Sequence, residues 1–557
     1  MKQLKKFVIF TLCLGLITLQ LSGCNASEVQ NTDTSSSSSA NESIREVTFC
    51  ESWDFDGGFF SLQAPNVTNG TYGTYYFLCN FYETLVNYED GKIVPGLAEK
   101  WNVSDDGLTY TFTLKQGIKF SDGTDFNAEA VKINLDNIPN ILAEFNGGWG
   151  LTSTLLDKVT VVDEYTVDIK LTTPYYGALQ DFTTIMPMGM MSPNGYNADG
   201  TLAEITKTKT LGTGPYMYDG QKDNETYTFV RNPYYDRGKS DVDVFHVKVI
   251  PDNDAKVLAL RSGEVDMILG SGNLSYNSFE ELTNSKEFTS VSSKTTIQSR
   301  TMGFNVTHEP FNDPAVRLAA NYALDTNAIS NNIFYGVETP ADSILDKSLP
   351  YCDVDTGTYE YDVKKAKQIL NEAGWVDSNG DGIREKDGIK LSGNILYASD
   401  RATLGDLAST ISAQLKEVGF EITPVGKEQM VYFQEISNGN FDLAIAITNA
   451  IPSDPYLLVS RLLTDNVIDH YLAQGLADMD NADEIIKSLN AMTDDVEIQN
   501  TYNTLLQELH DEATLIPLTR VKGMAVYNNK TISDYEFYNQ PDYLDVSAIT
   551  LSSQNES

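Results

Sequence analysis

Positive charge is what this chain has least of. Against 78 Asp and Glu stand 39 Lys and Arg and four histidines, for a net charge of −39 over 557 residues. Nucleic acid and anionic lipid are both bound through basic patches, so this balance excludes them as partners. An acidic exterior is in itself a solubility feature and names no cationic ligand. Cysteine is also scarce, five in all, and no CxxC pair occurs. That excludes a disulfide framework and a zinc cluster. Cys50, Cys79 and Cys352 allow at most one bridge, with buried free thiols as the alternative. HExxH, GxSxG and GxxxxGK[ST] are all missing, and no spacing among the carboxylates or the four histidines singles out an acid/base pair. Catalysis is not expected. His308 and His510 read as packing or surface residues.

Long apolar runs are confined to the amino terminus. Lys2, Lys5 and Lys6 precede the run Phe7–Leu21, and Leu21-Ser22-Gly23-Cys24 closes it. A basic head, a short apolar stretch and small residues at the end describe a secretory signal, too short for a comfortable membrane span. The cysteine directly after Leu-Ser-Gly resembles a bacterial lipobox, which implies cleavage before Cys24 (signal peptide 1–23) and a lipid on its thiol. Residues 24–45 then form the lipidated cysteine and a Ser-rich tether that buries too little to fold. The protein is expected outside the cytoplasm, anchored to the cell membrane.

From Glu46 onward the pattern is globular. Thr109–Leu114 and Tyr165–Leu171 alternate like half-buried strands. Asn127–Ile138 has helical spacing with Asn127 as N-cap. A short helix over Asp254–Ser262 leads into the strand Val265–Leu269. Pro314–Leu324 and Val363–Ala373 read as helices, the first opened by Asp313-Pro314 and the second stopped by Gly374. Further helices are expected over Thr403–Val418, Glu484–Leu489 and Thr501–Asp511, with strands at Phe441–Ile447 and Leu515–Leu518. Helices and strands intermix without a short repeat, which favours mixed α/β lobes.

Several stretches in this order look like a known family. They are Leu97-Ala98-Glu99-Lys100-Trp101, Asp105-Asp106-Gly107-Leu108-Thr109-Tyr110-Thr111-Phe112, Gly117-Ile118-Lys119-Phe120-Ser121-Asp122-Gly123-Thr124 and Gly212-Thr213-Gly214-Pro215-Tyr216. Ala259-Leu260-Arg261-Ser262-Gly263-Glu264-Val265-Asp266, Phe311-Asn312-Asp313-Pro314-Ala315-Val316-Arg317 and Tyr361-Asp362-Val363-Lys364-Lys365-Ala366-Lys367 continue the series. Together they resemble the family 5 extracellular solute-binding proteins of ABC importers, the peptide/nickel class. Pro174-Tyr175-Tyr176, Ser348-Leu349-Pro350-Tyr351, Gln474-Gly475-Leu476-Ala477-Asp478 and Leu509-His510-Asp511-Glu512-Ala513 are most similar to its nickel-binding branch. The resemblance implies an α/β, two-lobed periplasmic-binding-protein-like clam shell (type II, cluster C) with an extra subdomain inserted in the first lobe. The first lobe is expected over 46–300 with the insertion at approximately 90–205, the second over 301–515, and a return to the first lobe with the tail over 516–557. It further implies lobe closure over a nickel chelate or a similar small solute, and delivery by a monomer to ABC permease and ATPase subunits. A short peptide is the alternative ligand, and a ligand sensor outside transport the alternative role.

The resemblance also places the candidate site, and the sequence departs from it there. Where the nickel branch holds carboxylates with two arginines, this chain has Trp149 and Gly189. Met188 and Met190 flank that glycine and offer either soft ligand contacts or core packing. Asn449 stands where the branch has Trp and Ser453 where it has Tyr. Ile451 takes the position of the aspartate with which peptide binders hold an α-ammonium. Asp454 either assumes that anchoring role or shapes the turn before Pro455. His470 falls near the histidine that the branch offers to its metal, and imidazole suits nickel. Of the aromatic stretch Tyr72–Phe77, one tyrosine, Tyr72 or Tyr75, is expected to face the ligand. Asp377, Asn379 and Asp381 match the first half of an EF-hand calcium loop, but the position needing a bidentate Glu is Gly388. A tight Asp/Gly turn is the expectation there, and no cofactor is required.

Overall fold

The computed structural model describes residues 44–553 apart from 63–71, 90, 144–145, 223–224, 400–401, 449–453 and 467–468. The expected signal, Cys24 and the Ser-rich tether therefore lie outside the described residues.

Two long antiparallel strands, Phe288–Phe304 and Leu515–Asn528, run through the middle of an 11-stranded sheet among the described residues. On one side lie Leu443–Ile447, Ser392–Ala398 and Glu421–Lys427, all parallel to one another. On the other lie Met267–Leu269, Glu46–Glu51 and Val244–Val249, again parallel, then Thr226–Arg231 and Tyr216–Lys222. The central pair serves both sides in turn. Arg300–Phe304 pairs with Ile447–Leu443, whereas Ala525–Tyr527 pairs with Leu269–Met267. Between these segments the ladder breaks its register at Ser292/Thr296 and Thr296/Gln298, as bulged strands do where a sheet bends. Ser293 Oγ closes the gap, accepting from Gly523 N at 2.9 Å and donating to Thr295 O at 2.8 Å. The crossing thus falls near 293–298 and 521–523, inside two strands. The expected bounds at 300/301 and 515/516 fall within these same two strands.

The insertion carries its own antiparallel sheet, in the order Ala98–Val103, Thr109–Leu114, Thr166–Leu171, Leu156–Asp163. Tyr110, Phe112 and Leu114 are buried on alternate positions. Helix Ala128–Leu142 packs on this sheet, and Asn127 Oδ1 caps it by accepting from Ala130 N at 3.0 Å, as expected. Asp313 caps helix Pro314–Ala323 with Pro314 in its first turn. Gly374, at φ +88°, ends the helix Val363–Glu372. Two expected elements are longer than their apolar pattern. The last helix starts at Asp495, because Asp494 Oδ1 accepts from Val496 N and Glu497 N. The strand from Leu515 continues to Asn528 because it spans both sides of the sheet.

Buried charges brace the crossing. Arg300 and Glu338, whose side chains are 4% and 0% exposed, form a two-pronged pair at 2.6 and 3.1 Å. Tyr276 and Thr519 donate to the same carboxylate. Arg520 on the other central strand donates to Ser343 Oγ at 2.7 Å and Leu345 O at 3.0 Å and pairs with Asp342 and Asp346. Cys50 and Cys352 are buried and Cys79 half-buried, each as a free thiol; burial pushes the Cys50 thiol up to about 12.

Candidate functional site

In an open α/β sheet, ligands bind beyond the carboxyl ends of the parallel strands. On the second-lobe side, Ile447 pairs with Arg300 near the crossing and Leu443 with Phe304 away from it, so these strands point their carboxyl ends at the crossing. On the first-lobe side, Leu269 pairs with Ala525 and Met267 with Tyr527, which gives the same sense. The candidate cleft is therefore bounded by the segments after Glu51 and Leu269 on one side and after Ile447 on the other.

The first-lobe rim is a fixed polar lattice. Lys256, fully buried, donates to Asn273 Oδ1 at 2.7 Å and Asn253 Oδ1 at 3.0 Å, and also to Ser52 Oγ. Asn273 Nδ2 donates to Glu51 Oε2 at 2.9 Å, and Ser52 N to Glu51 Oε1 at 2.6 Å. Burial raises the Glu51 carboxyl and lowers the Lys256 ammonium. The adjoining Trp53 indole is 44% exposed, a large apolar face at the mouth of the cleft. Sequence reasoning missed this group, although Lys256 sits three residues before the family-like stretch at Ala259. Glu51 lies more than two hundred positions from Lys256 and Asn273, and the parallel pairing of Glu46–Glu51 with Met267–Leu269 brings it to them.

On the second-lobe side Asn449 and Ser453 lie outside the described residues. Asp454 is described, and it is no free anchor. It is 1% exposed, accepts from Tyr456 N at 2.9 Å in the turn at Pro455, and accepts from Tyr175 Oη of the insertion at 2.5 Å. The turn-shaping role therefore holds, joined to a contact with the insertion that the sequence did not suggest. Trp149, half-buried, sits between Gly148 and Gly150 and packs against both apolar cores. Arg461 of the second lobe donates to Gly148 O at 3.3 Å while pairing with Asp469 at 3.3 Å.

The other expected residues scatter. Met188 and Met190 are 1% and 0% exposed, so their side chains fill the core instead of lining an open face. At Gly189 a Cβ would meet Ile185 O at 2.8 Å and Tyr82 Cβ at 3.0 Å, so this backbone has little room for a side chain. Tyr75 is half-buried in an aromatic cluster with Tyr76 and Tyr543, and its hydroxyl accepts from Gln540 Nε2 at 2.9 Å. The side chain of Tyr72 lies outside the described residues.

His470 is the clearest correction. Its ring stands edge-on to Phe441 at 6.5 Å and lies 3.4 Å from a Cβ built on Gly439. Both precede the strand Leu443–Ile447, at the end away from the crossing. About 20 Å of extended chain separates Phe441 from Ile447 at 3.3 Å per residue, so His470 packs at the end of this strand away from the crossing. His308 pairs with Asp442 at 2.8 Å and His510 stacks on Tyr359 at 4.3 Å.

Asp377, Asp381 and Glu385 bring carboxylate oxygens within 4.8 Å of one another. Asp377 is already bonded by Gly380 N and Gly382 N, and Asp381 by Ile383 N and Lys390 Nζ. Asn379 Oδ1 accepts from Asp381 N. Gly388, at φ +84°, lies in a hairpin turn between Glu385–Lys386 and Ile389–Lys390, so no side chain completes the loop as an EF-hand would.

Comparison with known proteins places this architecture. The chain is 31% identical over 451 residues to the nickel-binding periplasmic protein of Escherichia coli, covering 80% of this chain and 84% of that one. It is 27% identical over 533 residues to the oligopeptide-binding protein AppA of Bacillus subtilis, covering 92% and 93%. The structure superposes on NikA from Brucella suis in complex with Fe(III)-EDTA with a TM-score of 0.82 at 29% identity, over 91% of this chain and all of that one. Residues 92–469 match the model of the bacterial extracellular solute-binding proteins, family 5 Middle. With that match spanning most of its length, the chain is a two-lobed binding protein and belongs to the bacterial extracellular solute-binding proteins, family 5.

Proposed function

We propose that this protein is the receptor of an ABC importer, tethered to the outer face of the cell membrane through lipidated Cys24, and that it captures a metal chelate, nickel foremost, by lobe closure. Its partners are a permease that recognises the closed form and an ATPase that drives transport. The chain itself performs no reaction. One observation supports the ligand class above the rest: likeness to a nickel-binding protein extends over four-fifths of the chain, and the fold matches a chelate-bound structure at a TM-score of 0.82. The absence of cations at Trp149 and Gly189 means that a carboxylate-rich chelator must be held differently here. On the first-lobe side, the partly exposed Trp53, set beside the buried Lys256–Asn273 lattice, is the group we assign to it.

Peptide uptake is the second reading, favoured by likeness to an oligopeptide-binding protein over 92% of this chain. Native mass spectrometry of the purified protein, with thermal melts in nickel alone, nickel with histidine, and a mixture of short peptides, separates the two. Ligand at a hundred times its Kd stabilises by about 2.7 kcal/mol. Spread over an unfolding entropy of about 1 kcal/mol/K for roughly 500 residues, that is a rise of about 2–3 °C. A rise with nickel–histidine alone supports the chelate; a rise with peptides alone, or co-purified peptide masses, moves the assignment to peptide uptake.

A further inference from the structure

The insertion and the second lobe meet through an unusual group. Tyr175 Oη donates to Asp454 Oδ2 at 2.5 Å, Tyr176 Oη and Tyr502 Oη lie 2.7 Å apart, and the Tyr175 and Tyr176 rings stand edge-on to Tyr456. Behind them is a second carboxyl, Asp181 of the insertion, 0% exposed. Its Oδ2 accepts from Thr152 N at 2.8 Å, and its Oδ1 has no hydrogen-bond partner. Gly150 presses on it so closely that a Cβ there would sit 2.6 Å from the carboxyl carbon, which leaves no room for a counter-ion. The titratable groups facing the two acids are Tyr110, Tyr175, Tyr176, Tyr456, Tyr502 and Cys352, and no cation is among them. Arg461 and Arg520, further out, are paired with Asp469 and with Asp342 and Asp346.

Two neighbouring carboxylates, both buried and with no cation facing them among the described residues, cannot both stay ionised. Asp454 has donors for both oxygens and suits the charged form. Asp181 has a donor for one oxygen only, and the other must carry a proton of its own. We propose that Asp181, Asp454 and Tyr175 form a proton-operated latch, in which closure of the insertion onto the second lobe takes up one proton from solvent and alkaline pH releases it. The electrostatics agree in sign: burial, with the Asp454 carboxylate second, holds Asp181 well above the usual carboxylate range, and burial raises Asp454 to about 6. A group whose closed-state pKa is raised favours closure below its open-state value and loses that contribution as pH rises through the closed-state value. One proton taken up makes the closed-to-open ratio fall about tenfold per pH unit within that window. This device goes beyond the proposed ligand, since it acts whatever solute is bound.

The test is the distance between spin labels on Val162→Cys of the insertion and Val496→Cys of the second lobe, both exposed, in the ligand-free protein from pH 7 to 8.5, above the range in which Asp454 titrates. The closed population should fall with rising pH, and Asp181→Asn, which keeps the shape and supplies a permanent donor, should hold that population within twofold across the range. Tyr175→Phe keeps both carboxyls and loses one bond to a charged acceptor, so it should keep the pH slope while lowering the closed-to-open ratio about tenfold or more. A wild type with no slope, a slope retained in Asp181→Asn, or a Tyr175→Phe protein with the wild-type closed fraction would overturn the latch.

Discussion

Glu338 offers a sharp test of how the crossing between the lobes is held. Its fully buried carboxylate accepts four hydrogen bonds: two from Arg300, one from Tyr276 and one from Thr519. Glu338→Gln preserves the volume but removes the charge, leaving the Arg300 guanidinium buried without its counter-ion. Breaking a buried pair from one side costs about 3–5 kcal/mol. An unfolding entropy near 2.1 cal/mol/K per residue amounts to about 1 kcal/mol/K for roughly 500 residues, so the melting point should fall by about 3–5 °C. Replacing the pair together, as Arg300→Met with Glu338→Leu, removes both charges and should recover most of that loss, since an apolar pair of similar volume is often neutral. Calorimetry of the three variants at one pH and salt decides it. A Glu338→Gln melting point within 1 °C of wild type would show that the charge pair does not brace the crossing. A double variant no better than the single one would show that shape and hydrogen bonding matter more than charge.

Other consequences follow from named contacts. His470→Ala should leave any nickel- or peptide-induced thermal shift unchanged, because the ring packs on Gly439 and Phe441 away from the cleft; loss of the nickel shift in a folded variant would contradict that placement. Burial raises the Glu512 carboxyl to about 7, with the Asp478 N–H opposing it. The folded state therefore favours the neutral form, whose contribution is full in acid and is lost as pH rises through about 7. Glu512→Gln should accordingly match wild type at pH 5 and melt higher at pH 8, read by thermal melts at both values. Asn127→Ala removes the bond to Ala130 N and should cost about 1 kcal/mol by denaturant titration. Fatty-acid labelling of cells should mark the protein and disappear on Cys24→Ala, which checks the tether.

Much of the scaffold was legible because it is written locally. Asn127, Asp313-Pro314 and Gly374 cap or stop helices through bonds within a few residues, and the alternation in Thr109–Leu114 states which face is buried. The family-like stretches carried the two-lobed α/β architecture through their order along the chain, and they fall on strands, turns and helix starts alike. The signal, Cys24 and the tether are likewise readings of sequence alone.

What the tertiary structure decided is which distant residues meet. Lys256 finds Glu51 and Asn273 because parallel strands end together, and Asp181 and Tyr175 find Asp454 because the insertion packs on the second lobe. No spacing encodes either meeting. Position in the chain suggested His470 as a ligand residue, and the structure packs its ring on Phe441 and Gly439 at the far end of one strand. Met188 and Met190 fitted either core packing, the commoner role of such a run, or ligand contact, and burial places them in the core. Local bonds, and so helices, strands and caps, are determined by neighbours in sequence; a site made across two lobes depends on where the backbone delivers its parts, and that is settled only by packing.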